Sequence, residues 1–365
     1  MWVRPVEKMN PYTNLPDNAF WKTAIATKNP FDIEDLWDPK FDIKPTDKLV
    51  TYGSCFAKHI GRSLLERSFT WHRTETSPRW LSEQAAGIYH YDVFSSRTGN
   101  IYTASLLKQW TDWALEESKP PHEVWQSEGR WYDPFRPRIE PNGFGSEEEL
   151  WQSRRQTIHS FRESIITADC FIFTLGLTES WINVKGGYEY PMCPGTVAGE
   201  FSPARHKFVN QQFSEVLKNL NHAISKMHGV NQKLRFLLTV SPVPLTATKS
   251  NRHVLVATVE SKSILRAVAG QLARNRPDID YFPSFEIINS PIFRGIFFEL
   301  NLRNIHPRGV AFVMDAFFHG LTRKYGAYPK SRPAGSGDKR NPISLPDTVD
   351  PHCDEALLEA FGPNQ

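Results

Sequence analysis

The sequence predicts an α/β fold in which a mostly parallel sheet is covered on both faces by helices. Three observations lead there. Short, almost wholly apolar runs at 170–175 and 234–240 read as strands buried on both faces. Longer stretches with apolar residues three and four positions apart separate those runs and read as helices. The composition can fill a large core, since 40% of the 365 residues are apolar and 13% aromatic. At ~100–200 residues per domain, the length fits one large domain or two ordinary ones.

In chain order, residues 1–45 are rich in Pro, Asn, Asp and aromatics. They read as an irregular arm held to the body by Trp and Phe side chains. The main domain is expected over 46–328. Residues 48–52 form a short strand ending in Gly53-Ser54, and residues 56–67 place Phe56, Ile60 and Leu64 on one helical face. Residues 110–160 carry Trp110, Trp113, Trp125, Trp131 and Tyr132. They admit two readings, a lid or sugar platform over a crevice and a packed insertion. Ser146 followed by Glu149 opens a long helix running to Thr167. Cys170–Leu175 is a strand stopped by Gly176. A helix over 210–227, a strand over 234–240 halted by Ser-Pro-Val-Pro, a helix over 254–273, a short strand over 279–282 and a helix over 309–324 follow. Residues 329–365 turn to Pro, Gly, Ser and charge and read as a flexible tail. Within it, Asp354–Phe361 is an amphipathic piece able to dock.

The charge balance, 43 basic against 40 acidic residues, is too small for an electrostatic nucleic-acid footprint or a polybasic membrane surface. No run approaches the ~18 apolar residues of a membrane span, and the N-terminus lacks the apolar core of a signal peptide. A soluble, cytoplasmic protein is expected. Cys55, Cys170, Cys193 and Cys353 are scattered without CxxC spacing, which argues against a disulfide framework and a structural zinc site. Phosphate-loop, dinucleotide and HExxH motifs are missing, so neither a metal nor a resident cofactor is expected.

In a parallel sheet, chemistry collects at the carboxyl ends of the strands. Ser54 sits there, between a strand and a helix start, where unpaired N–H groups and the helix dipole would stabilise an oxyanion. Gly53 permits the sharp turn. The competing reading makes Ser54 a helix N-cap. His306, just before the last helix, is the candidate base; the competing reading is an inert loop histidine. Gly176-Leu177-Thr178-Glu179 ends the apolar strand and offers a polar edge to the same crevice, and Gly99-Asn100 forms a further polar loop. Cys55 shares the helix start with Ser54, but neighbouring side chains diverge, and it is read as a small core residue.

Together these stretches resemble the GSCFA family, named for the motif that stands here at Gly53–Ala57. The similarity extends to Gly99-Asn100-Ile101-Tyr102-Thr103, Gly176-Leu177-Thr178-Glu179 with Trp181, and Cys193-Pro194-Gly195-Thr196. It continues through Ser241-Pro242-Val243-Pro244 and Ser261-Lys262-Ser263-Ile264-Leu265-Arg266. The resemblance implies a three-layer α/β/α, flavodoxin-like fold of the SGNH/GDSL-like hydrolases. It implies ester chemistry on an acylated glycan or small molecule, with Ser54 as nucleophile and His306 as base. The Ser54 amide, Gly99, Asn100 and Thr178 would form the oxyanion hole, with Gly53 and Gly176 in support. Such enzymes usually carry an Asp three residues before the His, and here that position is Arg303. Three readings follow: a dyad in which a backbone carbonyl, Asn301 or Asn304 orients His306, an acid supplied from elsewhere with Glu179 and Glu299 as candidates, or a base other than His306. The implied activity is a serine-dependent carbohydrate esterase of O-deacetylase type. The alternatives are an O-acyltransferase on the same site, with acyl-CoA as donor, and a non-catalytic glycan- or protein-binding module.

Overall fold

The computed structural model describes residues 10–327 and 354–362. The expected tail over 329–365 therefore lies outside the described residues, apart from 354–362. The chain enters through short irregular turns to β1 (Leu49–Gly53) and α1 (Ala57–Glu66), then α2 (Glu83–Ile88) and α3 (Ala104–Ala114). A small hairpin, β2 (Trp125–Ser127) and β3 (Arg130–Tyr132), precedes α4 (Glu147–Thr167) and β4 (Cys170–Leu175). Next come β5 (Glu179–Asn183), β6 (Glu189–Tyr190), β7 (His206–Asn210), α5 (Phe213–Val230) and β8 (Arg235–Val240). The chain continues through α6 (Val254–Asn275), β9 (Ile279–Tyr281), α7 (Ser284–Asn289) and α8 (Pro307–Tyr325), and Asp354–Phe361 forms a final 3-10 turn.

The central sheet is parallel, in the order β1-β4-β8-β9. Its apolar runs have the cause expected of them, because both faces are covered. Val50, Tyr52, Phe171, Phe173, Phe236 and Leu238 share one core with α3, α4, α5 and α6. The residues between them, Leu49, Ile172 and Leu237, belong to a second core with α1, α7 and α8. Successive strand residues point to opposite faces, so one run of sequence serves two cores. The α4 cap forms in modified shape. Ser146 accepts from the Glu149 N–H, but the Glu149 carboxylate reaches back to Gly145, not to Ser146.

One expectation needs revision, and of the two readings of 110–160 the packed one is found. The arm is not held by all of its aromatics. Trp37 is buried and stacks on Phe317, with ring centroids 5.2 Å apart, and Phe31, although partly exposed, lies edge-on to Phe297 (6.3 Å) and Phe312 (6.0 Å), whereas Trp21 is exposed. The tryptophans of 110–160 are not an open platform: Trp110, Trp113 and Trp125 lie inside the main core. The segment is a packed one, anchored by a charge cluster. Asp133 lies between Arg136 (Nε–Oδ2 2.9 Å) and Arg154 (Nη2–Oδ1 2.7 Å), all three essentially without exposure. The antiparallel sheet β6-β5-β7 has no counterpart among the expected elements. Its strands are short and mix polar with aromatic residues, so neither an apolar run nor a helical period marks them.

Candidate functional site

β1 and β4 end side by side, with Gly53 opposite Thr174. Gly53 has φ 129°, and a Cβ there would meet the Thr174 carbonyl oxygen at 2.3 Å. The glycine thus lets the chain turn out of the sheet while touching the neighbouring strand. Ser54 follows, only 2% exposed. Its Oγ has no hydrogen-bond partner among the described residues. The N-cap reading therefore does not hold: α1 is capped by Phe56, with no side-chain cap bond. A buried hydroxyl without a partner costs about 1–3 kcal/mol, a cost that a reactive group has reason to carry.

The polar loops do converge on Ser54. The Ile101 N–H donates to the Gly53 carbonyl (2.9 Å), and the Tyr102 carbonyl accepts from the Gly176 and Leu177 amides (2.9 and 3.0 Å). A Cβ on Gly176 would lie 3.0 Å from the Ser54 Cβ. Gly99, Asn100 and Gly176 are thereby gathered at the strand ends around the serine. The Gly99 loop is held from behind by Glu75, which accepts from the Arg97 amide (2.8 Å).

Other expected roles fare differently. The Ser54 N–H donates to the Thr174 carbonyl (3.0 Å). It continues the ladder between β1 and β4 and is not an oxyanion donor here. Thr178 is also committed: its N–H donates to Ser261 Oγ (3.1 Å) and its hydroxyl to Asn210 Oδ1 (2.7 Å). Both of its donors are spent on packing. Glu179 accepts from the Thr248 hydroxyl (2.6 Å). Burial pushes its carboxyl above the usual range, against the hydrogen bonds that pull it down.

His306 is exposed and is the N-cap of α8, its Nδ1 accepting from the Arg308 N–H (3.1 Å). In the neutral ring that leaves the proton on Nε2, a donor and not a base. The structure does not join His306 to Ser54 by a hydrogen bond. Asn301 turns its Oδ1 to the Arg303 and Asn304 amides (3.0 and 2.9 Å). The Asn304 carbonyl accepts from the Glu299 amide. The group that orients the imidazole here is a backbone N–H. Cys55 is buried against Val243 and Ala356, as a core residue would be.

Helix α6 supplies two supports that local sequence does not single out. Lys262, 1% exposed, donates from Nζ to the Gly176 carbonyl (2.7 Å), and Ser261 accepts from Thr178. A lysine on an amphipathic helix reads as solvated, and only its burial shows that it clamps the loop beside Ser54. Behind Tyr102 lies Glu189, buried and accepting from the Thr103 (2.5 Å) and Ser105 hydroxyls. Burial raises its pKa to about 7, against the pull of those two hydroxyls. The folded state then binds more protons than the unfolded chain between the ordinary Glu value and about 7, so stability falls as pH rises through that window. In urea titrations, the stability of wild type minus that of Glu189→Gln is expected to drop by about 3 kcal/mol from pH 4 to pH 8. A difference that stays flat with pH would remove Glu189 from this role.

The void between Gly99, Asn100, Arg136, Arg138 and Asp354 measures about 10 Å³, at the lower limit for a single water. No helix among the described residues is long and apolar enough to cross a membrane.

The family model described as the GSCFA family matches residues 48–317 of this chain. No curated protein matches the sequence. One solved structure similar to this chain is described as a "putative platelet activating factor" from Streptococcus pneumonia, at 12% identity and a TM-score of 0.26. The alignment covers 42% of this chain and 60% of that one.

Proposed function

The chain belongs to the GSCFA family, and from that premise we propose that it is an ester-processing enzyme of SGNH type with Ser54 as nucleophile. The observation that carries the reading is the buried, unpartnered Ser54 hydroxyl at the carboxyl end of a parallel sheet. The helices on both faces of that sheet are compatible with the three-layer α/β/α arrangement that this reading requires.

In the proposed reaction, Ser54 Oγ attacks an ester carbonyl and passes its proton to His306. The resulting oxyanion is held by the Gly99 amide, because the Asn100 side-chain amide is already donated to Asp354 Oδ2 (2.7 Å). Such a donor is typically worth ~3 kcal/mol of barrier. Collapse breaks the ester C–O bond, and His306 returns the proton to the departing alkoxide. The acyl-Ser54 ester then passes to water in an esterase, or to a sugar hydroxyl in a transferase. For His306 to act as base, its ring must leave the α8 cap and present an unprotonated nitrogen to Ser54.

Intact mass after treatment with a fluorophosphonate tests the reading. One adduct is expected on wild type, or on the variant Asp354→Ala/Glu355→Ala, and none once Ser54→Ala is added. Folded protein that stays unmodified in both forms, under conditions that label a control serine esterase, would sink it. A subsequent screen of acetylated sugars, with and without acyl-CoA donors, separates hydrolysis from transfer.

A further inference from the structure

The chain's own C-terminal segment packs against the loops that surround Ser54. Asp354 and Glu355 are 3% and 8% exposed although both are acidic. Asn100 donates from Nδ2 to Asp354 Oδ2 (2.7 Å), and the Asp354 N–H donates to the Tyr102 hydroxyl (3.1 Å). Arg138 Nη1 lies 3.9 Å from the other Asp354 carboxylate oxygen. Glu355 sits 3.6 Å from Arg303 Nη2. Ala356 packs on Cys55, the residue after Ser54. One short segment thus touches the Gly99 loop, the start of the serine turn and the loop that leads to His306.

We propose that these walls form a carboxylate-binding subsite, built from Asn100, Arg138 and Arg303, which Asp354 and Glu355 fill and from which an acidic substrate must displace them. Buried carboxylates are costly unless paired and hydrogen-bonded. Here each of two adjacent ones meets a guanidinium, and one also receives an amide donor. That is a site shaped for acids, not a chance apolar contact. It also accounts for Arg303 at the position where an orienting Asp is expected, because a cation there grips an acid entering the crevice. Tethering gives the segment a high effective concentration. That the displacing acid is an ester substrate rests on the function proposed above; the subsite itself does not.

Cys55 provides a readout independent of catalysis, because Ala356 covers it. Its alkylation by N-ethylmaleimide is followed by peptide mapping in the full chain, with half-buried Cys193 as internal reference. Asp354→Ala/Glu355→Ala is expected to speed Cys55 modification about tenfold with the thermal midpoint of the body retained. The added peptide acetyl-DEALLEAF-amide should restore protection of that variant, and its amide counterpart acetyl-NQALLQAF-amide should not. Equal Cys55 rates in wild type and variant would overturn the proposal, and so would equal protection by the two peptides. If Cys55 behaves as expected while Ser54 resists fluorophosphonate in both proteins, the subsite stands and the hydrolase reading falls.

Discussion

Gly53→Ala is expected to lower stability by about 3 kcal/mol and to abolish modification of Ser54 by a fluorophosphonate. A side chain at φ 129° is strained in itself, and its Cβ would press on the Thr174 carbonyl oxygen at 2.3 Å and on the Thr174 nitrogen at 2.7 Å. Those atoms belong to a central strand held by ladders on both sides, so they cannot retreat. The turn must shift instead. It would lose the bond from the Ser54 amide to Thr174 and the bond from Ile101 to the Gly53 carbonyl. Both bonds aim the serine, so stability and labelling should fall together. Gly87→Ala is the control: a Cβ there meets nothing within 4 Å, and helix propensity favours alanine by roughly 0.5–1 kcal/mol. A Gly53→Ala protein with the wild-type urea midpoint and normal labelling would refute the account.

Removing Asp133 should be at least as damaging. Burial pushes its carboxyl up, but Arg154 and Arg136 outweigh that and hold it below the usual carboxylate range. Asp133→Ala leaves two fully buried guanidiniums facing each other without their counter-charge. Breaking such a buried group typically costs about 3–5 kcal/mol, or roughly 5 °C in thermal midpoint for a chain of this size. The pH dependence has a definite sign. A carboxyl depressed in the folded state contributes stability above its unfolded value and loses it as pH falls through the folded one. The wild-type advantage over Asp133→Ala should therefore shrink only in strong acid. A change in midpoint under 2 °C at pH 7 would show the cluster to be dispensable. Arg136 also donates to the Thr157 hydroxyl and to the Arg97 carbonyl, so Asp133→Ala should loosen the Gly99 loop as well.

Much of the fold is legible along the chain because its causes are local. Cys170–Leu175 is apolar at every position because both faces of β4 are covered, and the strand stops where Gly176 stands. Ser146 and the amphipathic spacing of α1 mark a helix start and a helix face within one or two turns. The antiparallel sheet and α3 are less legible. Strands of two to five residues are too short to show a period, and a helix buried on most sides lacks the polar face that periodicity needs.

The site divides in the same way. The strand-end positions of Gly53, Ser54 and Gly176 follow from sequence, since a glycine after a buried strand has few other uses. Which donors remain available there does not. The Ser54 amide continues a ladder with β4, Thr178 is tied to Asn210 and Ser261, and His306 caps its own helix. Lys262 approaches Gly176 from 86 residues away, and Asp354 reaches Asn100 from 254 away. By itself, then, the sequence determined the α/β class, the parallel strands and the turn that bears Ser54, because periodicity, capping and glycine act over a few residues. The tertiary structure alone decided which hydroxyls and amides are already paired, and that an acidic segment packs against the loops around Ser54. Hydrogen bonds and burial depend on distance in space, and separation along the chain says nothing about it.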